Sequence, residues 1–172
     1  MDCYFMKTEE IILNNFQLKY PLERLALLSD ILFLDIETTG FLTGSSSIYL
    51  IGCAYYEDGN WKLRQWFAQT PDEESEILSA FLAFAEPYSY LIHYNGNTFD
   101  LPFLRKKADK YGISYTLSSK KGLDIFRRIT PYKNFLKLPD CKLKTIESFL
   151  GIHREDIYTG GQLIQVYHDY TS

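Results

Sequence analysis

A run of mostly apolar residues at positions 30–37, DILFLDIE, constrains the fold more than any other part of the chain. Strands covered on both faces are apolar without the strict alternation of a half-buried strand, so this run predicts a central strand of a parallel or mixed sheet. The run ends with Asp35 and Glu37, and residues i and i+2 of a strand point to the same face. The segment therefore predicts a buried strand with two carboxylates on one face at its carboxyl end.

The rest of the chain predicts a mixed sheet with helices beside it. Apolar and aromatic runs at 47–57 and 61–68 flank a turn signal at 57–60, which is typical of a β-hairpin. The remaining predicted elements are helices at 70–86, 98–112 and 141–151, a strand at 88–95, a short strand or helix at 122–129, and an amphipathic run after the Gly-Gly step at 160–161. The order β-β-β-α-β-α predicts an α/β fold with a mixed central sheet flanked by helices.

The length of 172 residues predicts one domain with a sizeable core. Residues 1–29 mix polar and apolar positions, and a proline followed by LERLALL predicts a short helix at 21–28. We therefore expect an N-terminal extension at 1–29 that packs on a domain formed by residues 30–172.

Charge and cysteine content limit the classes of function. A net charge of −4 and a pI near 5.4 argue against a protein that coats long duplex DNA with a basic face, but they allow an enzyme that holds a few phosphates through metal ions. The three cysteines, at 3, 53 and 141, form no CxxC pair, which fits a reducing cytoplasm. With no signal-peptide pattern and no apolar run of about 18 residues, we expect a soluble cytoplasmic protein that does not enter a membrane.

A second polar segment, LIHYNGNTFDLPFL at 91–104, places Asp100 in the first turn of a helix that follows a predicted strand. If that strand and 30–37 are parallel neighbours, Asp100 lies beside Asp35 and Glu37. Adjacent carboxylates repel each other, and a hard divalent cation such as Mg²⁺ or Mn²⁺ relieves that repulsion. Alternatively, Asp100 only compensates the charge of a helix N-terminus, and the asparagines at 95 and 97 only shape a turn.

The segments DIETTG and HYNGNTFDLPFL together resemble motifs I and II of the DEDD (DnaQ-like) 3′–5′ exonucleases, which have a ribonuclease-H-like fold. Within that superfamily the chain is most similar to the YprB-type ribonuclease-H-like branch, and CKLKTIESFLGIHREDI at 141–157 shares this similarity. The resemblance runs from Leu32 to the end of the chain. It implies a three-layer α/β fold.

The resemblance also implies an activity: metal-dependent hydrolysis of phosphodiester bonds at single-stranded DNA or RNA 3′ ends, with two Mg²⁺ or Mn²⁺ ions. Neither motif distinguishes DNA from RNA. The implied metal ligands and catalytic residues are Asp35, Glu37 and Asp100, with Asp35 bridging the two ions. The implied substrate-binding residues are Thr38, Thr39 and Gly40 at the terminal nucleotide, Asn95 near the scissile phosphate or terminal sugar, and Phe99 at the terminal base.

One part of the family pattern, a fourth acid preceded by a general base, is not found. It would read Tyr-x-x-x-Asp or His-x-x-x-x-Asp, but Thr171 stands four positions after Tyr167. We interpret two possible substitutes, Asp124 and Asp169, as a turn or cap acid and a solvated helix charge. We therefore expect a domain without its final helix. The alternatives are a weakly active or inactive nucleic-acid-binding module of the same fold, or another metal-dependent phosphotransfer enzyme.

Overall fold

A six-stranded mixed sheet forms the centre of the protein, in the order β1-β4-β3-β2-β5-β6. The computed structural model describes residues 6–14, 16–153, 155 and 158–172, so Cys3 lies outside the described residues. The strands are β1 (Lys7–Ile12), β2 (Ile31–Thr38), β3 (Ile48–Glu57), β4 (Asn60–Phe67), β5 (Tyr90–His93) and β6 (Lys121–Asp124).

The predicted central strand, β2, lies inside the sheet, antiparallel to β3 and parallel to β5. Strands β3 and β4 form the predicted hairpin, and β5 continues in parallel to β6. The sheet is therefore parallel on one side of β2 and antiparallel on the other. This arrangement brings the carboxyl ends of β2, β5 and β6 to one edge.

The N-terminal residues differ from their prediction. Residues 7–12 form β1, an edge strand that pairs with β4, and all six are exposed, so they lack the apolar periodicity of a buried strand. The prediction of a helix at 21–28 is wrong. Two 3-10 turns, Leu22–Arg24 and Leu28–Asp30, stand there instead, because Leu27 between them has an extended backbone with a ψ of 141°.

Five α-helices complete the described part of the chain: α1 (Glu74–Ala85), α2 (Asp100–Tyr111), α3 (Ile125–Ile129), α4 (Leu143–Phe149) and α5 (Gly160–Thr171). Helix α2 ends at Gly112, whose φ of 66° confirms the predicted glycine C-cap. No described helix combines the length and apolar character needed to cross a bilayer.

The main core lies between the sheet and the helices α1 and α2. Leu34 and Ile36 of β2 point into this core, together with Phe81 of α1 and Phe103 of α2. A smaller cluster around Ile31, Trp61 and Ile92 covers part of the opposite face. Because side chains alternate along β2, Asp35 and Glu37 belong to the opposite face, which the two long helices leave open.

Candidate active site

The first two candidate ligands lie at the carboxyl end of β2. Asp35 is exposed and Glu37 is half-buried, whereas Leu34 and Ile36 between and beside them are buried in the core. The pairing with β3 is irregular at this point, because Glu37 opposes Leu50 while Thr38 opposes Ile48. The bulge ends the regular strand directly after the two acids, which leaves both carboxylates at the rim of the sheet.

The third candidate ligand, Asp100, reaches the same place from the neighbouring strand. Because β5 lies parallel to β2, the loop after β5 begins at the edge where β2 ends. Asp100 is the first residue of α2 and is only 5% exposed. Its Oδ1 accepts a hydrogen bond of 3.2 Å from the backbone N–H of Ile36, the residue between Asp35 and Glu37. The structure thus brings the three acids together, as the parallel pairing predicted.

The electrostatics show that these carboxylates disfavour one another's charge. Burial, reinforced by the charge of Asp35, raises the pKa of Asp100 to about 7. Burial and the charge of Asp35 also raise the pKa of Glu37. A carboxyl with a raised pKa lacks sufficient compensating positive charge. A divalent cation would supply that charge.

The three carboxylates are therefore chemically suited to binding a hard metal ion. Carboxylate oxygens are the ligands that Mg²⁺ and Mn²⁺ prefer. The side chains are not already arranged around a common point, since the described residues contain no group of three His, Cys, Asp or Glu positioned to hold a metal. One reason lies in Asp100, whose Oδ1 is directed to the Ile36 amide. Like charges also favour separated side chains.

The loop after β2 is held by the two threonines that were predicted to bind substrate. Thr38 Oγ1 donates to the carbonyl of Gly40 at 2.7 Å. Thr39 exchanges two hydrogen bonds of 2.9 Å with Ser47, one through its backbone N–H and one through Oγ1 as acceptor. A Cβ at Gly40 would lie 2.7 Å from the Ser46 hydroxyl, so the absence of a side chain lets the loop close. These contacts fix the loop beside the acids.

The loop between β5 and α2 is held by Asp124. The Asp124 carboxylate accepts from the backbone N–H groups of Asn95 at 2.9 Å and Asn97 at 3.4 Å. It also caps α3 by accepting from Arg127 N–H, which confirms its interpretation as a cap acid. Asn95 adopts a φ of 62°, a left-handed conformation that asparagine tolerates in turns. The other possible substitute, Asp169, is exposed and accepts from Gln165 on the surface of α5.

An aromatic pair borders the site. Phe99 directly precedes Asp100, and its ring packs edge-on against Phe41 with centroids 6.0 Å apart. Phe41 is 83% exposed, although it sits in the loop that follows the two acids. Phe41 was not among the residues predicted to form the site. The signal for it was its position directly after DIETTG, where an exposed aromatic ring has no role in the core.

An apolar groove of about 460 Å³ adjoins Asp35 and Glu37 on the open face of the sheet. Its floor includes Leu50, Gly52 and Ala54 of β3, and Leu143 of α4 lies along its wall. The groove is therefore continuous with the carboxylates at one end.

Comparisons with known proteins agree with this architecture. A family model described as the RNase_H superfamily matches residues 32–172. A DNA polymerase of Thermococcus hydrothermalis is 30% identical over 153 residues, which cover 72% of this chain and 9% of the polymerase.

Solved structures show the same fold. A family B DNA polymerase from Pyrobaculum calidifontis superposes with a TM-score of 0.65 at 16% identity, over 81% of this chain and 21% of the polymerase. An E. coli exonuclease I in a zinc-bound complex with single-stranded DNA superposes with a TM-score of 0.54 at 14% identity, over 81% of this chain and 39% of that one. The chain thus spans less than half of each of these proteins. The matches confirm the predicted ribonuclease-H-like α/β fold.

Proposed function

The chain belongs to the RNase_H superfamily, and from this membership and the three neighbouring acids at one edge of the sheet we propose that it is a metal-dependent 3′–5′ exonuclease acting on single-stranded DNA or RNA ends. The observation that carries the proposal is the hydrogen bond from Ile36 N–H to Asp100, which holds a third carboxylate at the backbone between Asp35 and Glu37. The likeness to an exonuclease I that binds single-stranded DNA supports the choice of substrate. The resemblance of the two sequence motifs to those of the DEDD exonucleases, and to the YprB-type branch in particular, also supports the proposal.

In this proposal Asp35, Glu37 and Asp100 are the residues that would hold two Mg²⁺ or Mn²⁺ ions. Such ions, when bound, lower the pKa of an attacking water and neutralise charge at the phosphorus. The carboxylates themselves fix where that chemistry occurs, because β2 and α2 are anchored in the main core. Asp100 must be deprotonated to act as a ligand, so its raised pKa predicts that activity increases from acidic to neutral pH.

The loops beside the acids would hold the end of the nucleic acid. Thr38, Thr39 and Gly40 present a loop fixed by its own hydrogen bonds, so its backbone can meet the terminal nucleotide without first ordering. Asn95 would lie near the scissile phosphate or terminal sugar. Phe99, supported by the exposed ring of Phe41, offers a surface on which the terminal base can stack.

We further propose that residues 30–172 form the exonuclease domain, with 1–29 as an N-terminal extension whose strand β1 joins the sheet of that domain, and that the domain needs one more helix. The groove beside Asp35 is apolar and open, as expected of a surface that a helix covers. Such a helix would bring the fourth acid and the general base. A second candidate function, nucleic-acid binding without turnover, is favoured by Thr171, which stands where an acid would complete a Tyr-x-x-x-Asp pattern.

The test is Mn²⁺- or Mg²⁺-dependent release of mononucleotides from 3′-labelled single-stranded DNA and RNA. We expect release by the wild-type chain and a loss of about 10²–10³-fold in Asp35→Asn, since a catalytic metal supplies several kcal/mol of transition-state stabilisation. Asp169→Asn, which makes the same change at an exposed helix position, is the matched control. Equal activity of Asp35→Asn and wild type would exclude this site. Binding of single-stranded DNA without any release would instead support the binding module.

A further inference from the structure

A second pocket, of about 420 Å³, lies between α2 and the strands β5 and β6. Leu101 and Pro102 of α2 form one wall, and Leu91 of β5 and Gly122 of β6 form the other. Neither Asp35, Glu37 nor Asp100 lines it. The pocket therefore contains none of the three carboxylates, although His93 lines both this pocket and the groove beside Asp35 and Glu37.

His93 supplies an unusual group at this pocket. Its side chain is 1% exposed, and its Nδ1 accepts a hydrogen bond of 3.1 Å from the backbone N–H of Gly96. Burial lowers the pKa of His93, so the ring is neutral near pH 7. A neutral imidazole that accepts at Nδ1 carries its proton on Nε2. His93 therefore presents a buried N–H donor at Nε2.

That donor has no hydrogen-bond partner among the described residues. Buried polar groups are almost always paired, and an unpaired one is unfavourable, so an acceptor is expected at this position. Gly122 lies next to this donor. A Cβ at Gly122 would lie 4.0 Å from Nε2, and both His93 and Gly122 line the pocket. The Nε2–H group therefore lies buried at the pocket wall, behind Gly122.

The charges around the pocket favour an anion. Arg105 and Lys120 line it and no acidic residue does, while the Asp124 carboxylate lies behind the His93 ring, 3.8 Å from Nδ1. Arg105 is exposed and forms no ion pair with any residue that the structure describes. Lys120 Nζ donates to the backbone carbonyls of Glu86 and Tyr88, so it is held at the rim by neutral groups. The pocket thus combines a buried donor, apolar walls and a cationic rim.

We propose that this pocket binds a nucleoside 5′-monophosphate. A base acceptor atom receives the hydrogen bond of His93 Nε2, the base lies between Leu101 and Pro102 on one side and Leu91 on the other, and the phosphate meets Arg105. The volume is within the roughly 300–1,000 Å³ of small-molecule sites. The choice of nucleotide rests on the proposed function, because 5′-monophosphates are the products of 3′–5′ exonuclease cleavage. The pocket would then retain or sense the product beside the site that forms it.

The test is a titration of the chain with thymidine and adenosine 5′-monophosphates in EDTA, followed by calorimetry and by the ¹⁵N resonance of His93 Nε2. We expect saturable 1:1 binding and a shift of that resonance. Gly122→Ala places a methyl group before Nε2 without a clash, and Arg105→Gln removes the cation, so each should weaken binding about tenfold or more. The matched controls are Gly44→Ala, where a Cβ meets nothing within 4 Å, and Lys106→Gln, the exposed neighbour on α2.

Absence of saturable binding up to about 10 mM nucleotide would overturn the inference, and so would equal binding by wild type and Gly122→Ala. Asp35→Asn separates this inference from the proposed function, because it should lose nuclease activity and keep nucleotide affinity. Loss of nucleotide affinity in Asp35→Asn would place the nucleotide at the carboxylates and overturn the inference. Nucleotide binding by a chain without nuclease activity would contradict the proposed function alone.

Discussion

Helix α2 borders two groups of acidic side chains that differ in how their charge is balanced. In the first group, Glu74 is fully buried, and its two carboxylate oxygens lie 3.0 and 3.1 Å from Lys107 Nζ. The same carboxylate accepts from Ile48 N–H at 2.7 Å and from the Tyr111 hydroxyl. In the second group, at the other end of α2, Asp100 shares an edge with Asp35 and Glu37, and its pKa is raised to about 7.

The difference shows which group is structural and which awaits a ligand. The Glu74 group joins α1, α2 and β3 through an ion pair and hydrogen bonds that lie within the protein. The Asp100 group is built by equally specific contacts, but its carboxylates remain mutually repelling. Repulsion of this kind reduces stability and persists where function needs it. The two groups therefore predict opposite responses to loss of charge.

The largest effect on stability is expected from breaking the ion pair between Glu74 and Lys107. Lys107→Met leaves the buried Glu74 without its cation, and removing one partner of a buried ion pair typically costs about 3–5 kcal/mol. We expect the free energy of unfolding, measured by urea denaturation, to fall by that amount. Lys106→Met, an exposed change on the same helix, is the control and should have little effect. Adding Glu74→Gln to Lys107→Met should recover part of the loss, whereas a further loss would contradict the assignment.

Neutralising Asp100 should increase the free energy of unfolding, which is the opposite of the loss expected for Lys107→Met. The pKa of Asp100 is about 7 in the folded protein, against about 3.9 for an aspartate in an unfolded chain. Between these values the folded state binds more protons, so wild-type stability falls as the pH rises from 4 to 7. We expect Asp100→Asn in EDTA to be more stable than wild type by about 2–4 kcal/mol at pH 8 and nearly equal at pH 4. Thermal unfolding across this pH range measures the difference.

The control for this prediction is Asp109→Asn, an exposed position of α2. It should change stability by less than about 0.5 kcal/mol at either pH. A pH-independent difference between Asp100→Asn and wild type would show that burial does not perturb the Asp100 carboxyl as described.

The sequence alone was sufficient to predict that Asp35, Glu37 and Asp100 lie near one another, but not to predict the Glu74 group. The strand ending in Asp35 and Glu37 and the helix beginning near Asp100 each carry strong local signals, and the parallel pairing of β2 with β5 follows from α/β connectivity. The contact between Glu74 and Lys107 joins residues 33 positions apart on two helices. No local pattern marks it, because each residue alone has the appearance of an ordinary helix charge.

The lack of a local sequence pattern also explains the other features that were not predicted. Strand β1 is exposed along its whole length, so its pairing with β4 leaves no apolar period in the sequence. Phe41 directly follows DIETTG, but this positional signal is weak, because aromatic residues are common in this chain and only the structure shows the ring exposed beside Phe99. His93 was not predicted as a binding residue, because a sequence cannot show that its Nε2 lacks a partner among the described residues.

A smaller change in stability is expected when the Asp100 group, with Asp35 and Glu37, binds a divalent cation. Mn²⁺ should stabilise the wild-type chain by about 2.7 kcal/mol at a concentration one hundred times its dissociation constant. Because protons compete for Asp100, the apparent affinity should be lower at pH 6 than at pH 8. Thermal unfolding with increasing Mn²⁺ measures this gain, and Asp100→Asn should reduce it strongly. Equal Mn²⁺ stabilisation of wild type and Asp100→Asn would show that Mn²⁺ does not bind at this group.

The smallest effect is expected at Lys110, which tests whether burial or proximity balances Glu74. Lys110 Nζ lies 3.8 Å from Glu74 Oε2, but its side chain is 58% exposed, whereas that of Lys107 is 3% exposed. Exposed ion pairs contribute little, so Lys110→Ala should lower the free energy of unfolding by no more than about 0.5 kcal/mol in urea denaturation. A cost as large as that of Lys107→Met would mean that two cations share the neutralisation of Glu74. The contrast between the two groups on α2 would then rest on the number of cations and not on burial.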